Sequence, residues 1–242
     1  MSFLKMTTEP KSLKHSKVIQ GDCLSVLQDI KSNTFDSIIT DPPYGIVNKF
    51  GINKNSKGTR TLEFEWDDED TSQMVSDALS LSLNLCKPTA SIFVFTSIDI
   101  IGQLIPVVRD HGFTVKPAAW IKKCPPPAGK GNWWPSGFEL AFYGYRGNPW
   151  FGDKNRKRSN VFTYDSMRFG QPGKNGHPTQ KPIALMRKIV RSICPSDGLV
   201  LDPFAGSGST LEACALEGRR FVGIEINKKY VDLIWRRLRR FQ

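Results

Sequence analysis

Leu199-Val200-Leu201-Asp202-Pro203-Phe204-Ala205-Gly206-Ser207-Gly208-Ser209-Thr210 joins an apolar run, a glycine-rich turn and the start of a helical pattern. Leu199 to Asp202 reads as a buried strand and Leu211 to Glu217 as a helix. The glycines between them let backbone come close to a ligand. No lysine follows the glycines, so the turn is not a Walker A loop. Nor is it a full dinucleotide fingerprint, because Leu211 stands where the third glycine would be. Glu225 ends the next strand, Phe221 to Ile226, about twenty residues on, where a carboxylate can take both hydroxyls of a ribose. A nucleoside ligand without pyrophosphate fits these residues better than NAD does, and S-adenosylmethionine is such a ligand.

A second motif lies far upstream. Phe35-Asp36-Ser37-Ile38-Ile39-Thr40 reads as a strand with Ile38-Ile39 at its buried centre, and it runs into Asp41-Pro42-Pro43-Tyr44. Neither proline has an N–H to give a ladder, so the strand stops there. Their rings also stiffen the frame that presents Asp41 and Tyr44 at the strand's carboxyl end, the edge where open α/β sheets bind ligands. Asp41 is an acceptor-only carboxylate, the Pro42 carbonyl has no competing N–H, and Tyr44 offers an aromatic face. Those are the parts needed to grip an amino group on a flat heterocycle. Taken alone, the tetrad is equally well a strand-ending turn with a polar tip.

Around these two stretches the elements alternate. Val18-Ile19-Gln20 is a short strand, and Cys23 to Ile30 carries Leu24, Leu27 and Ile30 at helical spacing. Met74 to Leu85 is helical, Ala90 to Thr96 a buried strand, and Ile100 to His111 a helix interrupted at Pro106. Thr114 to Ile121 and Glu139 to Tyr145 are strands. Pro182 to Cys194 is helical, and Asn227 is placed to cap a last helix, Lys228 to Arg240. Such βα alternation predicts an α/β fold with a mostly parallel sheet. Residues 1–17 form a polar N-terminal extension without the apolar core of a signal peptide. Residues 18–242 form a single domain, with a mobile basic loop over 45–65 that holds Lys49, Lys54, Lys57 and Arg60. The acidic run Asp67 to Asp70 suits a helix N-terminus. Residues 146–176 show no clear period and concentrate Arg156, Lys157 and Arg158. Trp133 and Trp134, in a Pro/Gly loop, are expected to pack into a surface groove rather than stack on bases. The arginines of the last helix are expected on a solvated basic edge.

The chain's 242 residues, 39% hydrophobic and 24% charged, suit one domain with a full core. A formal charge of +11 points to a polyanionic partner. The five cysteines are scattered without a C-x-x-C pair, which predicts neither a zinc site nor a disulfide framework and suits a reducing cytoplasm. No apolar run approaches a membrane-spanning length.

Phe204-Ala205-Gly206-Ser207-Gly208 together with Asp41-Pro42-Pro43-Tyr44 resembles the amino-methyltransferase family of DNA methyltransferases. The order, tetrad before cofactor loop, is that of its circularly permuted group. Gly21-Asp22-Cys23 and His177-Pro178-Thr179-Gln180-Lys181-Pro182 are similar to further motifs of that group. The resemblance implies a Rossmann-like methyltransferase fold with a seven-stranded sheet flanked by helices, and S-adenosylmethionine as cofactor. It implies that Asp41 and the Pro42 carbonyl accept hydrogen bonds from the amine of a flipped base while Tyr44 stacks on it. Phe204, Gly206 and Gly208 would form the cofactor turn. Glu225 would hold the ribose, Asp22 would meet the adenine, and Thr179 and Lys181 would face the methionine end. Asp22 could instead be only a helix cap, and Asp202 either touches cofactor or braces the turn. Lys49, Lys54, Lys57, Arg60, Arg156, Lys157 and Arg158 are the candidate DNA contacts, and residues 146–176 the short candidate target-recognition region. The implied partner is double-stranded DNA, the implied enzyme a bacterial or bacteriophage-encoded monomer or homodimer, and the implied methyl acceptor the N6 amine of adenine, with cytosine N4 or an RNA substrate as the alternatives.

Overall fold

In the computed structural model, which describes residues 15–44, 71–124, 134, 136–153, 158–166 and 180–241, the two motifs stand at the ends of neighbouring strands. β1 (Lys17–Gln20), α1 (Cys23–Gln28) and β2 (Phe35–Thr40) come first. α2 (Thr71–Asn84), β3 (Cys86–Thr96), α3 (Ile101–Asp110), β4 (Thr114–Lys122), β5 (Phe138–Tyr145) and β6 (Val161–Tyr164) follow. The chain closes with α4 (Ile183–Ile193), β7 (Leu199–Asp202), α5 (Ser209–Leu216), β8 (Arg220–Glu225), α6 (Lys228–Leu238) and a 3-10 turn, Arg239–Phe241.

The described strands form one sheet in the order β1-β8-β7-β2-β3-β5-β4-β6. Every neighbouring pair is parallel except those made by β5, which runs against both β3 and β4. From β7 the chain proceeds through α5 to β8 on one side; from β2 it proceeds through α2 to β3 on the other. The β7–β2 boundary is therefore a topological switch point, where loops leaving the carboxyl ends part and open a crevice.

Strand residues alternate between two apolar layers. Ile39, Phe93, Phe95 and Trp120 meet Leu185, Met186 and Ile189 of α4, Leu211 of α5 and Ile234 and Leu238 of α6. Ile38, Ile92 and Val94 meet Leu27 of α1, Leu79 and Leu83 of α2 and Leu104 and Val108 of α3. Fully burying one such side chain contributes about 1.5–3 kcal/mol. Leu211, in the place of a third turn glycine, lies over Gly223 of β8. A Cβ at Gly223 would stand 2.5 Å from Leu211 Cδ1, so the glycine that permits close helix–sheet packing is on the strand.

Three expectations need correction. Among the described residues the sheet has eight strands, not seven, because β6 pairs alongside β4. Four residues with a single neighbour carry too short a pattern to show a period. The βα alternation fails between β4, β5 and β6, which follow one another without a described helix. Finally, α3 runs through Pro106. The proline gives up its bond to the Gly102 carbonyl, but burial of Leu104 and Val108 holds the helix on the sheet.

Candidate active site and cofactor pocket

The glycine turn is fastened from the far side by Glu225. Gly206 N donates to Glu225 Oε2 at 2.8 Å, and Asn227 N donates to Oε1 at 2.8 Å. Gly206 and Gly208 have φ of +49° and +76°, the left-handed region that side chains resist. Burial pushes the Glu225 carboxyl above its ordinary value, and the N–H groups of Asn227, Gly206 and Ile226 pull it back. Each of its oxygens keeps a further lone-pair site for a ligand hydroxyl. Gly21 N donates to the Glu225 carbonyl at 3.1 Å, which brings the neighbouring Asp22 to the same sheet edge. Asp22 Oδ1 caps α1, accepting from Ser25 N at 2.9 Å and from the Ser25 hydroxyl at 3.0 Å. Its Oδ2 has no hydrogen bond among the described residues. Ile226, which sequence reasoning did not single out, is 61% exposed beside Glu225. Two carboxylates with spare acceptor capacity, an exposed apolar side chain and a turn that brings backbone forward are a donor–acceptor set suited to a nucleoside.

Asp202 has a different place. It is buried, and its Oδ1 accepts from the Thr40 hydroxyl at 2.8 Å and from Phe204 N at 3.2 Å. Burial raises its carboxyl to about 6, with Thr210, Thr40 and Phe204 opposing the rise. Thr40 precedes Asp41, so Asp202 ties the tetrad's strand to the turn and braces both.

At the tetrad a row of charges comes together. The Tyr44 hydroxyl donates to Asp41 Oδ1, and the Lys181 ammonium donates to Asp41 Oδ2. Lys181 also pairs with Glu139 Oε2 at 3.0 Å, and Lys122 pairs with Glu139 Oε1 at 3.0 Å. The Lys181 side chain is 6% exposed and its ammonium lies 4.8 Å from the centre of the Phe95 ring. Burial opposes the charge on Lys181, but Asp41 and Glu139 outweigh it and hold the ammonium above its usual range. Burial raises the Asp41 carboxyl; Lys181 draws it down and Glu139 pushes it up. For Glu139 burial is more than offset by Lys181 and Lys122, so its carboxyl sits below the usual value. Burial and then the Asp41 charge lift the Tyr44 phenol well above its ordinary range, which keeps it a donor.

Lys181, expected at the methionine end of the cofactor, therefore stands against the tetrad. Glu139 was missed. Because β5 is antiparallel, its first residues reach the edge where the parallel strands end, and Thr96 of β3 opposes Leu140. The only sequence signal was an acid opening an otherwise apolar strand. Thr179, Lys49, Lys54, Lys57, Arg60, Arg156 and Lys157 lie outside the described residues, as do Asp67 to Asp70, Trp133 and His177. Arg158 is exposed, with its guanidinium 5.4 Å from the Phe151 ring centre. Trp134 is 94% exposed and does not pack, contrary to expectation. Nor do all the last arginines face solvent: Arg237 pairs with Glu212 at 3.2 Å, with its side chain 5% exposed, and Arg240 binds the same carboxylate. Among the described residues no cluster of three or more potential metal ligands occurs, and no helix is long and apolar enough to cross a membrane.

The model of the N6/N4 DNA methylase family matches residues 35–236, from the start of β2 into α6. The chain belongs to this family. As an N6/N4 DNA methylase it is a DNA methyltransferase that takes its methyl group from S-adenosylmethionine. The methylase is 27% identical over 249 residues to Type II methyltransferase M2.MboI of Moraxella bovis, covering 93% of this chain and 88% of that one. Its structure resembles the M1.HpyAVI–SAM complex with a TM-score of 0.72 at 25% identity, over 92% of this chain and 98% of the other. It also shares its fold with the cytosine-N4-specific PvuII DNA methyltransferase, with a TM-score of 0.73 at 17% identity over 94% and 88% of the two chains.

Proposed function

We propose that this methylase modifies the N6 amine of adenine in duplex DNA, acting on a base turned out of the helix. The observation that supports this best is the tetrad carboxylate at the switch-point crevice. Tyr44 and Lys181 each engage one site on Asp41, and a carboxylate has about four, so acceptor capacity remains for an amine hydrogen. The Pro42 carbonyl, with no neighbouring N–H to compete, accepts a second. Held by both hydrogens, the nitrogen keeps its lone pair out of conjugation with the ring and free to attack. Bound S-adenosylmethionine supplies an electrophilic methyl group. Tyr44 offers the base a stacking face, and a stacked base must leave the duplex to reach it. In the cofactor pocket Glu225 would take the ribose hydroxyls, Asp22 would meet the adenine, and Phe204, Gly206 and Gly208 would line the turn. Thr179 remains proposed for the methionine end and Asp202 for bracing the turn, while Lys181 is proposed to hold the Asp41 carboxylate.

Cytosine N4 presents the same chemistry, and the fold shared with a cytosine-N4-specific enzyme keeps it as the second reading. The choice of adenine rests on Asp41, because the family resemblance associates an initial Asp with adenine enzymes and Ser with many cytosine enzymes. The relative M2.MboI is a Type II methyltransferase of a bacterium. We accordingly place this enzyme beside a restriction nuclease in a bacterial or phage-infected cytoplasm, as a monomer or homodimer. Incubation with tritiated cofactor and duplex DNA, single-stranded RNA or protein should label the duplex. Digestion to nucleosides and mass spectrometry should then find N6-methyladenine; N4-methylcytosine as the main product would make cytosine the target.

A further inference from the structure

We propose that Glu139 is a positioning residue for methyl transfer, dividing the Lys181 ammonium between itself and Asp41 so that the tetrad carboxylate keeps acceptor strength for the target amine. The inference rests on the reading of Asp41 as the residue that grips that amine.

Lys122, Glu139, Lys181 and Asp41 alternate in sign along one row, each contributed by a different part of the fold. Lys122 ends β4, Glu139 opens β5, Lys181 precedes α4 and Asp41 follows β2. Two positive and two negative charges cancel, which is the arrangement that makes burial of each member tolerable. Lys181 is the shared cation. At 6% exposure it has little water to turn to, and its three protons must find partners inside the protein. Asp41 takes one and Glu139 lies 3.0 Å away, while the face of Phe95 covers the ammonium at 4.8 Å.

This geometry bears directly on the reaction. An ammonium bound to Asp41 alone would draw on the same oxygen lone pairs that an exocyclic amine needs. It would do so as a full charge against a neutral donor, and charge-assisted bonds are about twice as strong. Glu139, as a second anion 3.0 Å from the ammonium, splits that demand electrostatically, and Lys122 on its other oxygen keeps Glu139 ionised and fixed. The groups that face Glu139 are Lys122, Lys181 and, through Lys181, Asp41 with its Tyr44 donor. Asp41 in turn acts on the buried Asp202 carboxyl.

Removing the two inner members should perturb Asp41 in opposite directions. In Glu139→Gln a negative neighbour disappears and Lys181 concentrates on Asp41. The acid limb of the single-turnover rate, which reports ionisation of Asp41, should then move to lower pH while the plateau rate falls about 10- to 100-fold. In Lys181→Met the carboxylate loses its cation and faces Glu139 directly, so the limb should move to higher pH. Glu139→Asp should return the limb towards its original position with partial recovery of rate. Calorimetry with S-adenosylmethionine on each variant shows that the cofactor pocket is intact. If Lys181→Met does not fold, Glu139→Gln decides alone. Unmoved limbs, or limbs moving in one direction in folded variants, would overturn the proposal. Turnover by Asp41→Ala would instead overturn the underlying reading of the tetrad.

Discussion

Asp41 sits where burial opposes its charge and Lys181 supports it, so the residue is held between two environments by its neighbours. Replacing it with alanine should abolish transfer by several orders of magnitude and leave cofactor affinity nearly unchanged, as rapid-quench rates and calorimetry would show. Cofactor affinity should depend on Glu225. Its replacement by alanine removes the proposed ribose acceptors and also frees Gly206 N and Asn227 N, so binding should weaken by about 1–3 kcal/mol. Unchanged affinity would place the ribose elsewhere. Asp202 bears on folding instead. Its carboxyl is raised from 3.8 to about 6 by burial, so between those values the folded chain keeps a proton that the unfolded chain has lost. A raised carboxyl contributes stability below its unfolded value and loses it as pH rises through about 6, a change of about 3 kcal/mol. Asp202→Asn, which keeps an acceptor for Thr40 and Phe204, should therefore gain stability relative to the parent as pH rises from 3.8 to about 6, measured by denaturant midpoints. Of these residues, Asp41, Glu225 and Asp202 were legible in the sequence because each ends a strand inside a local motif. Glu139 was not, since it meets Lys181 only through strand pairing, and Asp41 and Lys181 themselves are 140 positions apart.

Most elements could be read from apolar periodicity, and the exceptions have physical reasons. β2 and β7 fall where their apolar runs place them, because a strand buried on both faces has no competing period. β6 escaped notice because an edge strand of four residues is held by its partner β4 rather than by its own pattern. The direction of β5 was equally hidden: nothing in Phe138–Tyr145 distinguishes a parallel from an antiparallel strand, yet that direction carries Glu139 to the active edge. The glycine turn belongs to this scale too, since its shape is set by the helix behind it. A Cβ on Gly208 would stand 2.9 Å from Ile234 Cγ1, and its φ of +76° disfavours any side chain. Gly208→Ala must therefore strain the turn or shift α6, and should destabilise the protein by about 1–3 kcal/mol while weakening cofactor binding. Gly102 provides the contrast. It lies in α3 with open space around it, so Gly102→Ala should stabilise by about 0.5–1 kcal/mol. Chemical denaturation of the two variants would show opposite signs if the turn is fixed by α6.

For the molecule as a whole, a charge of +11 has to be reconciled with a buried row that is electrically neutral. The excess therefore resides away from the tetrad. Part of the basic side chains are internally committed: Arg237 and Arg240 are held by Glu212, and Arg146 donates to the carbonyls of Cys86, Lys87 and His111. Arg158 is different: it is exposed, and its guanidinium lies 5.4 Å from the Phe151 ring centre. It adjoins Arg156 and Lys157, which makes this cluster our candidate for phosphate contacts, with Lys49, Lys54, Lys57 and Arg60 as the second. Each phosphate neutralised releases counterions and adds about 0.9 to the negative slope of log affinity against log salt. The duplex affinity of the parent enzyme should therefore fall steeply between 50 and 200 mM salt, about the range over which several contacts are lost. Replacing Arg156, Lys157 and Arg158 together by glutamine should flatten that slope by about 2 to 3. The loss should be nearly equal on duplexes with and without the target sequence, because phosphates carry no sequence information. Fluorescence anisotropy across a salt series would measure both. A slope unchanged by the triple substitution would show that this cluster is a solvated surface and move the phosphate contacts to the lysine-rich segment after Tyr44.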